Sequence, residues 1–395
     1  MQVPSIRQLF IALDIDKSKS LSATAKHFPM SQSAISQSVK RLEEIVGHEL
    51  FQRTSSGVFT NELGGIFLSR CQRAVNRLQF IPSILDESKK HNSSLIRKFN
   101  NTGLRCMAAS VEAGSFSVAA TMLSLTQPTV QRAVNEFEMQ CDCRFFNRSS
   151  NGVEPNWKAR QIAKHIGVYF REIEQAIEDV HDRCGLTSGY LRIGALPLPS
   201  SSLVPEAVVK LLDKYPDIRV QIVDGPYHEQ LASLLHGKLD LIVGALRNPI
   251  PSREVQQETL FNEPLNVIVR SDHPLTCSSG LTLSELEDIE WIAPRAYTPA
   301  RELFVQLFQD QGLQVPHRVV ECSSTIAVRG LLMMSDRAAL LPARQVELDV
   351  KQGLLCVLPI ELPSTTRPIG ITRLIGVKPT SAQEYFCELL RCNQV

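Results

Sequence analysis

Ser31-Gln-Ser-Ala-Ile-Ser-Gln-Ser-Val-Lys-Arg-Leu-Glu-Glu-Ile-Val-Gly-His-Glu-Leu-Phe-Gln-Arg53 decides how the N-terminal half of this chain folds. Ile35, Val39, Leu42 and Val46 recur at helical intervals and form one apolar face. Ser31 is placed to cap this helix and Gly47 to end it. The opposite face carries Gln32, Ser33, Ser36, Gln37, Lys40 and Arg41. Short or flexible donors and acceptors of this kind suit base edges and phosphates in a DNA major groove. Upstream, Ile6, Leu9, Phe10 and Leu13 mark a first helix, and Ser20 caps a short second one with Leu21, Ala25 and Phe28 inward. Downstream, Leu50–Phe59 reads as a hairpin wing around a Ser-Ser-Gly turn, with Arg53 placed to reach the DNA backbone or minor groove.

The pattern occurs twice. Residues 6–65 and 104–160 match without gaps from Ser20 onward when the second copy is displaced by 95 residues. Ser20-Leu-Ser-Ala-Thr-Ala25 matches Ser115-Phe-Ser-Val-Ala-Ala120, and Leu50-Phe-Gln-Arg53 matches Phe145-Phe-Asn-Arg148. The corresponding reading residues of copy two are Gln127, Thr129, Arg132, Asn135 and Arg148. In copy one, Ile15-Asp-Lys-Ser-Lys-Ser20 reads as three residues longer than its counterpart, and Thr24 replaces a small Ala. Copy two puts Asp142 where copy one has Gly47, at a cost on the order of 1 kcal/mol if the backbone there is left-handed. Arg132 for Gln37 and Asn135 for Lys40 argue against identical DNA targets. Each unit is expected to contact a different half-site, or one to serve mainly as a scaffold.

Gly114-Ser-Phe-Ser-Val-Ala-Ala120, Thr126-Gln-Pro128 and Leu42-Glu-Glu-Ile-Val-Gly-His-Glu-Leu-Phe-Gln-Arg53 resemble the winged helix-turn-helix of LysR-type transcriptional regulators. Residues 189–390 resemble that family's effector-binding domain. Gly194-Ala-Leu-Pro-Leu-Pro199, Gly237-Lys-Leu-Asp-Leu-Ile-Val-Gly-Ala-Leu-Arg247 and His273-Pro-Leu275 are similar to a branch associated with sugar and small-acid responses. The resemblance implies a multi-domain chain. Two helix-rich winged units with linker helices would precede an α/β effector domain of two lobes, like a periplasmic binding protein. The expected divisions are 1–65 for copy one, 66–95 for a linker helix and connector, 96–160 for copy two, 161–184 for a dimerising linker helix, and 189–395 for the effector domain.

The linker helices are also visible as stripes. Ile162, Ile166, Tyr169, Ile173, Ala176 and Val180 recur as a coiled-coil seam, with Arg171, Glu172, Glu174 and Glu178 outside it. Phe67, Cys71, Ala74, Leu78, Ile81 and Leu85 make a similar stripe, interrupted by Pro82. His91-Asn-Ser-Ser94 reads as a polar connector. Two arrangements are open: the helices pair within one chain, or 162–180 joins two chains into a homodimer with four winged units.

From 189 onward, short β-branched runs alternate with amphipathic segments, as in α/β architecture. Strands are expected at Tyr190–Ala195, Arg219–Asp224, Leu239–Gly244, Leu265–Val269, Trp291–Ala293, Val319–Glu321 and Ala338–Leu341. Helices are expected at Leu203–Lys214, Tyr227–Leu235, Ala300–Gln311 and Ser324–Met334. Ligands bind where strands end and helices begin. That criterion selects Ser200, Ser201 and Ser202 in one lobe and Thr298 and Ser323 in the other, with Tyr227 and Arg247 as further candidates. The expected effector is small and polar, a sugar or small organic acid.

Bulk properties agree. A net charge of +1 divides unequally: residues 1–184 carry 23 Lys+Arg against 18 Asp+Glu, while 185–395 carry 19 against 23. The basic half suits a polyanion such as double-stranded DNA. Neither a Gly-x-Gly-x-x-Gly nor a P-loop occurs, and no histidine sits at metal-ligand spacing. Cys141/Cys143 and Cys387/Cys392 lack C-x-x-C spacing, so free thiols are expected, with no metal and no cofactor. Catalysis is not expected. No apolar run approaches a membrane span, and Met1-Gln-Val-Pro-Ser5 lacks the features of a secretory signal, so a cytoplasmic location is expected; the family resemblance implies a homo-oligomer. The alternative is a ligand sensor with decayed DNA-binding units that acts through protein contacts.

Overall fold

The computed structural model describes residues 2–86, 93–149, 152–278, 280–296, 298–363 and 365–392, apart from the side chains at 93, 148 and 149. Copy one consists of α1 (Ile6–Ser18), α2 (Leu21–His27), α3 (Gln32–Val46) and a hairpin of β1 (Phe51–Thr54) and β2 (Gly57–Thr60). Next come α4 (Glu62–Leu78), α5 (Phe80–Leu85) and α6 (Ser93–Ile96). Copy two repeats the unit as α7 (Asn101–Ala113), α8 (Phe116–Leu123), α9 (Gln127–Cys141), β3 (Phe146–Ser149) and β4 (Gly152–Pro155), and α10 (Trp157–Arg183) follows. Of the expected connector, His91 and Asn92 lie outside the described residues.

The displacement of 95 holds from the first helix, since α1 and α7 each have 13 residues. The three extra residues expected in copy one are therefore absent. Lys19, at φ 53°, occupies the left-handed position that Gly114 fills at φ 59°. The Lys19 carbonyl accepts the Val58 N–H at 3.0 Å, and the Gly114 carbonyl accepts the Val153 N–H at 3.1 Å. Each hairpin lies so close to this turn that a Cβ at Gly57 would sit 2.6 Å from Lys19 O, and one at Gly152 2.8 Å from Gly114 O. Thr24 is buried, and its hydroxyl is satisfied by Ser18 Oγ at 3.0 Å. Asp142 adopts the left-handed backbone anticipated for it, at φ 49°.

The two linker helices pair with each other. Arg70 Nε donates to Asp179 at 2.6 Å, the Phe80 ring stacks on His165 at 5.0 Å, and Lys158 Nζ donates to Leu85 O at 2.9 Å. As residue numbers rise along α4 and α5 they fall along α10, so the pairing is antiparallel. Phe67, Cys71, Ala74, Leu78 and Ile81 share one continuous core with Ile162, Ile166, Tyr169, Ile173, Ala176 and Val180. Of the two arrangements, the chain adopts the pairing within itself. The break between α4 and α5 falls where Pro82 has no N–H to offer the Leu78 carbonyl.

One feature of the linker departs from expectation. Arg171, Glu172 and Glu178, read as lying outside the seam, are buried. Asp240 and Tyr190 of the C-terminal half cover Arg171 and Glu178, while Glu172 faces Arg70 and Arg73 of α4.

This half forms two lobes. The first sheet has the order β6-β5-β7-β14-β8, built from β5 (Gly189–Ala195), β6 (Ile218–Val223), β7 (Leu241–Ala245), β8 (Val255–Glu263) and β14 (Arg367–Leu374). The second has the order β11-β10-β12-β9-β13, from β9 (Asn266–Arg270), β10 (Trp291–Ala293), β11 (Val319–Glu321), β12 (Ala338–Leu341) and β13 (Leu355–Val357). Helices α11 (Pro197–Ser201), α12 (Leu203–Lys214), α13 (Tyr227–Leu235) and α17 (Ser381–Cys392) accompany the first sheet. Those accompanying the second are α14 (Pro299–Gln309), α15 (Thr325–Met334) and α16 (Glu347–Lys351). The chain enters the second lobe after β8 and returns through β14. Neither β8, β13 nor β14 was anticipated: β8 (Val-Gln-Gln-Glu-Thr-Leu-Phe-Asn-Glu) is mostly polar, since it lies at a sheet edge.

Candidate DNA-reading surfaces and effector cleft

Ser31 Oγ accepts the Ala34 N–H at 3.2 Å and starts α3. Ile35, Val39, Leu42 and Val46 are buried, which turns Gln32, Ser33, Gln37, Lys40 and Arg41 to solvent, with Ser36 half-buried. Arg53 in β1 donates through Nη2 to Ser36 Oγ at 2.7 Å, fixing the wing against the helix. The Gln32 side chain accepts from Ser22 Oγ at 3.1 Å. In copy two, Thr126 caps α9, and Gln127, Thr129, Arg132 and Asn135 are exposed. Arg148 belongs to β3, but its side chain lies outside the described residues. The faces differ in charge, because α3 carries Lys40 and Arg41 where α9 carries Asn135 and Glu136.

The expected ligand residues are distributed over elements of both lobes. Ser200 and Ser201 end α11 rather than opening a helix, and their hydroxyls donate to Leu196 O at 2.6 Å and Leu198 O at 2.8 Å. Pro197, at the first turn, shifts the helix start upstream of them. Ser202 stands before α12 without a side-chain cap bond. Thr298 caps α14 and also donates to Arg295 O at 2.8 Å. Ser323 is exposed next to Ser324, which caps α15. Within the first lobe, Tyr227 and Arg247 are together, with the guanidinium 4.2 Å from the ring centroid.

Sequence reasoning missed Arg367. Ala245 pairs with Ile369, and the Leu246 N–H donates to Pro368 O at 2.9 Å, so the antiparallel register sets Arg367 opposite Arg247. Like charges facing across a strand pair repel. Among the described residues, neither guanidinium has a carboxylate within ion-pair distance, and Arg367 Nε is buried without a partner. Burial lowers the pKa of both; for Arg367 the charge of Arg247 adds to that effect, and Glu263, its cross-strand neighbour in β8, opposes it. The pair stands where the chain crosses between lobes, and the charge of Glu302 in α14 favours the charged form of Arg247. A guanidinium pair of this kind offers planar donors to an oxyanion. Arg367 could have been found in the sequence only by recognising β14.

The profile described as "Bacterial regulatory helix-turn-helix protein, lysR family" matches residues 6–64 and again 102–160. The one described as "LysR substrate binding domain" matches residues 185–394. The chain belongs to the LysR family of transcriptional regulators. It is 30% identical over 376 residues to the HTH-type transcriptional regulator GalR of Pseudomonas putida, across 95% of this chain and 94% of that one. The alignment with the uncharacterized HTH-type transcriptional regulator YdcI of Escherichia coli (26% identity) spans 97% of YdcI but only 76% of this chain. The alignment to GalR thus extends into both copies, whereas YdcI is accounted for by about one copy fewer. Full-length OxyR from Pseudomonas aeruginosa has a similar fold, with a TM-score of 0.56 at 23% identity over 74% of this chain and 97% of that one. The relatives are transcriptional regulators, not enzymes, and the order of an N-terminal helix-turn-helix and a C-terminal two-lobe effector-binding domain is the family's.

In this LysR-family chain the two halves are joined by buried charge. Arg171 in α10 donates to Asp240 at 2.7 and 3.0 Å, to Glu178 at 3.0 Å and to Tyr190 O at 2.9 Å. Burial alone would lower its pKa, but Asp240 and Glu178 raise it overall, so the charge is secure. Arg70 in α4, also buried, reaches Asp179 and Gln175 of α10 and the Lys378 and Pro379 carbonyls of the first lobe. Glu112 of α7 pairs with Lys238. Gly167 and Gly237 face each other at this junction, and a Cβ on Gly167 would run into the His236 carbonyl.

Proposed function

We propose that this chain is a sequence-specific DNA-binding regulator whose two N-terminal units are both winged helix-turn-helix readers and whose DNA binding responds to a small anionic ligand. Recognition by α3 uses Gln32, Ser33, Ser36, Gln37, Lys40 and Arg41, while α9 uses Gln127, Thr129, Arg132 and Asn135. Arg53 and Arg148, on the wings, contact backbone or minor groove. The effector is a small carboxylate held by Arg247 and Arg367, with Tyr227 stacked under Arg247. Ser200, Ser201, Ser202, Thr298 and Ser323 supply hydroxyls around it. The single observation that carries this reading is the pair of facing arginines at the crossing between lobes, neither of which has a carboxylate within ion-pair distance among the described residues. Coupling is supported by Arg70 and Arg171, which fasten the first lobe to the linker helices.

The test is retention of DNA fragments by the full chain over a salt series, with and without a panel of small carboxylates. Sequence-selective retention that weakens with salt is the expected outcome, because phosphate contacts release counterions. A carboxylate of the panel should then shift the footprint. Retention without sequence preference would favour a sensor that acts through protein contacts.

A further inference from the structure

We infer that one chain is a complete two-headed reader, placing its two unlike recognition helices on the two halves of a single inverted site. This rests on the DNA-reading role proposed above for α3 and α9.

The contacts between the linker helices are reciprocal. Arg70 meets Gln175 at 2.8 Å, and Phe80 meets His165 at 5.0 Å between rings. Positions 165 and 175 are the counterparts, 95 residues on, of 70 and 80. Position i of one helix thus meets j of the other while j meets i, which is the signature of a two-fold axis. The helix ends follow the same antiparallel course, with Glu62 against Arg183 at 2.7 Å and Leu85 against Lys158 at 2.9 Å. Each linker helix follows its own wing directly, so the axis that relates the linkers also inverts one head relative to the other. Inverted heads read inverted half-sites.

A second chain has no place at this seam. Ile162, Ile166, Tyr169, Ile173, Ala176 and Val180 of α10 are fully covered by residues of the same polypeptide. The heads are fastened to the pair as well. Asn101 Nδ2 donates to Pro4 O at 2.8 Å, joining the two copies, and His181 Nε2 donates to Val46 O at 3.0 Å, at the end of α3. The recognition faces are not copies. Ser36, Gln37, Lys40 and Arg41 in α3 correspond to Gln131, Arg132, Asn135 and Glu136 in α9. The site is therefore an imperfect inverted repeat, and its two halves differ at the bases these residues face. Covalent linkage makes binding of the second head intramolecular, with no prior association of subunits.

The test begins with double-stranded fragments selected by the full chain from a random pool, then footprinted. Labelled chain is titrated onto the selected fragment well above its dissociation constant, which counts chains per protected half-site. One chain per two half-sites is expected, whether or not chains also associate through their effector halves. The exposed-surface variants Lys40→Ala with Arg41→Ala, and Arg132→Ala with Asn135→Ala, should each weaken binding roughly tenfold or more and lose protection of one half-site, a different one for each. A mixture of the two variants should bind no better than either alone. One chain per half-site, or a mixture that restores the full footprint, would overturn the inference while leaving DNA reading intact. If no sequence emerges from the pool, the DNA-reading role and the inference fall together.

Discussion

Arg367 shows what a single residue adds and why it was hidden. Arg247 was legible because it closes the run Leu-Asp-Leu-Ile-Val-Gly-Ala-Leu-Arg247, a recognisable strand end. Its neighbour comes from 120 residues downstream in a strand that no alternation announced, and only the β7–β14 register brings the two together. Replacing Arg367 by Gln keeps a planar donor but removes the charge. Carboxylate affinity should fall by roughly tenfold or more, as expected for a lost charge-assisted bond, while thermal stability changes little, since the repulsion from Arg247 and the attraction to Glu263 disappear together. Calorimetric titration beside a melting curve checks both. His165 gives a second residue-scale prediction. Burial against Phe80 pulls its pKa down to about 4; Glu254 opposes this, while Arg77 and Lys164 reinforce it. In the unfolded chain the imidazole titrates near 6.5, so between those values the unfolded state holds the extra proton. Stability is complete above that window and is lost as pH falls through it. His236 is shifted in the same direction. The urea midpoint should drop between about pH 7 and about pH 5, and His165→Gln should reduce the drop. An unchanged slope in the variant would exclude His165 as the source.

Elements were easier to read than the faces they bury. The heads, the seam residues of α10 and seven strands of the lobes follow from periodicity and end signals, and the structure places them within a residue or two of expectation. The polar face of α10 did not follow. Arg171, Glu172 and Glu178 have the pattern of a solvated helix edge, and nothing local distinguishes such an edge from an interface whose charges are paired across long range. Asp240, the chief partner of Arg171, is 69 residues away. Gly167 marks the same junction and allows a prediction whose sign is diagnostic. In an open helix, replacing Gly by Ala stabilises by about 1 kcal/mol. Here the added Cβ meets the His236 carbonyl, so Gly167→Ala should instead destabilise by about 1–3 kcal/mol, the range for overpacking. Chemical denaturation checks the sign. A gain in stability would mean that α10 and the first lobe do not stay packed as closely in solution.

At the scale of the molecule, the duplication supplies a second linker helix that covers the α10 seam from within the same chain. An apolar stripe looks the same in sequence whether its cover comes from the same chain or another, so the stripes on α4 and α10 could not reveal their pairing. The reciprocal contacts resolve the ambiguity, and they also dictate what removal of copy one would do. A chain beginning at residue 96 would keep copy two, α10 and the effector lobes but expose Ile162, Ile166, Tyr169, Ile173, Ala176 and Val180. Burying one such large side chain contributes about 1.5–3 kcal/mol, so the bare seam strongly favours association. The near two-fold geometry gives it a ready partner in the α10 of a second truncated chain. Such a homodimer would place two copies of α9 where the full chain has one α3 and one α9. Its preferred DNA should therefore change from an imperfect to a symmetrical inverted repeat of the half-site read by α9. Sedimentation velocity of the truncated chain, with selection of its DNA from the same random pool, tests both steps. A truncated chain that stays monomeric at micromolar concentration, or selects the original asymmetric site, would show that the seam is not what joins the heads.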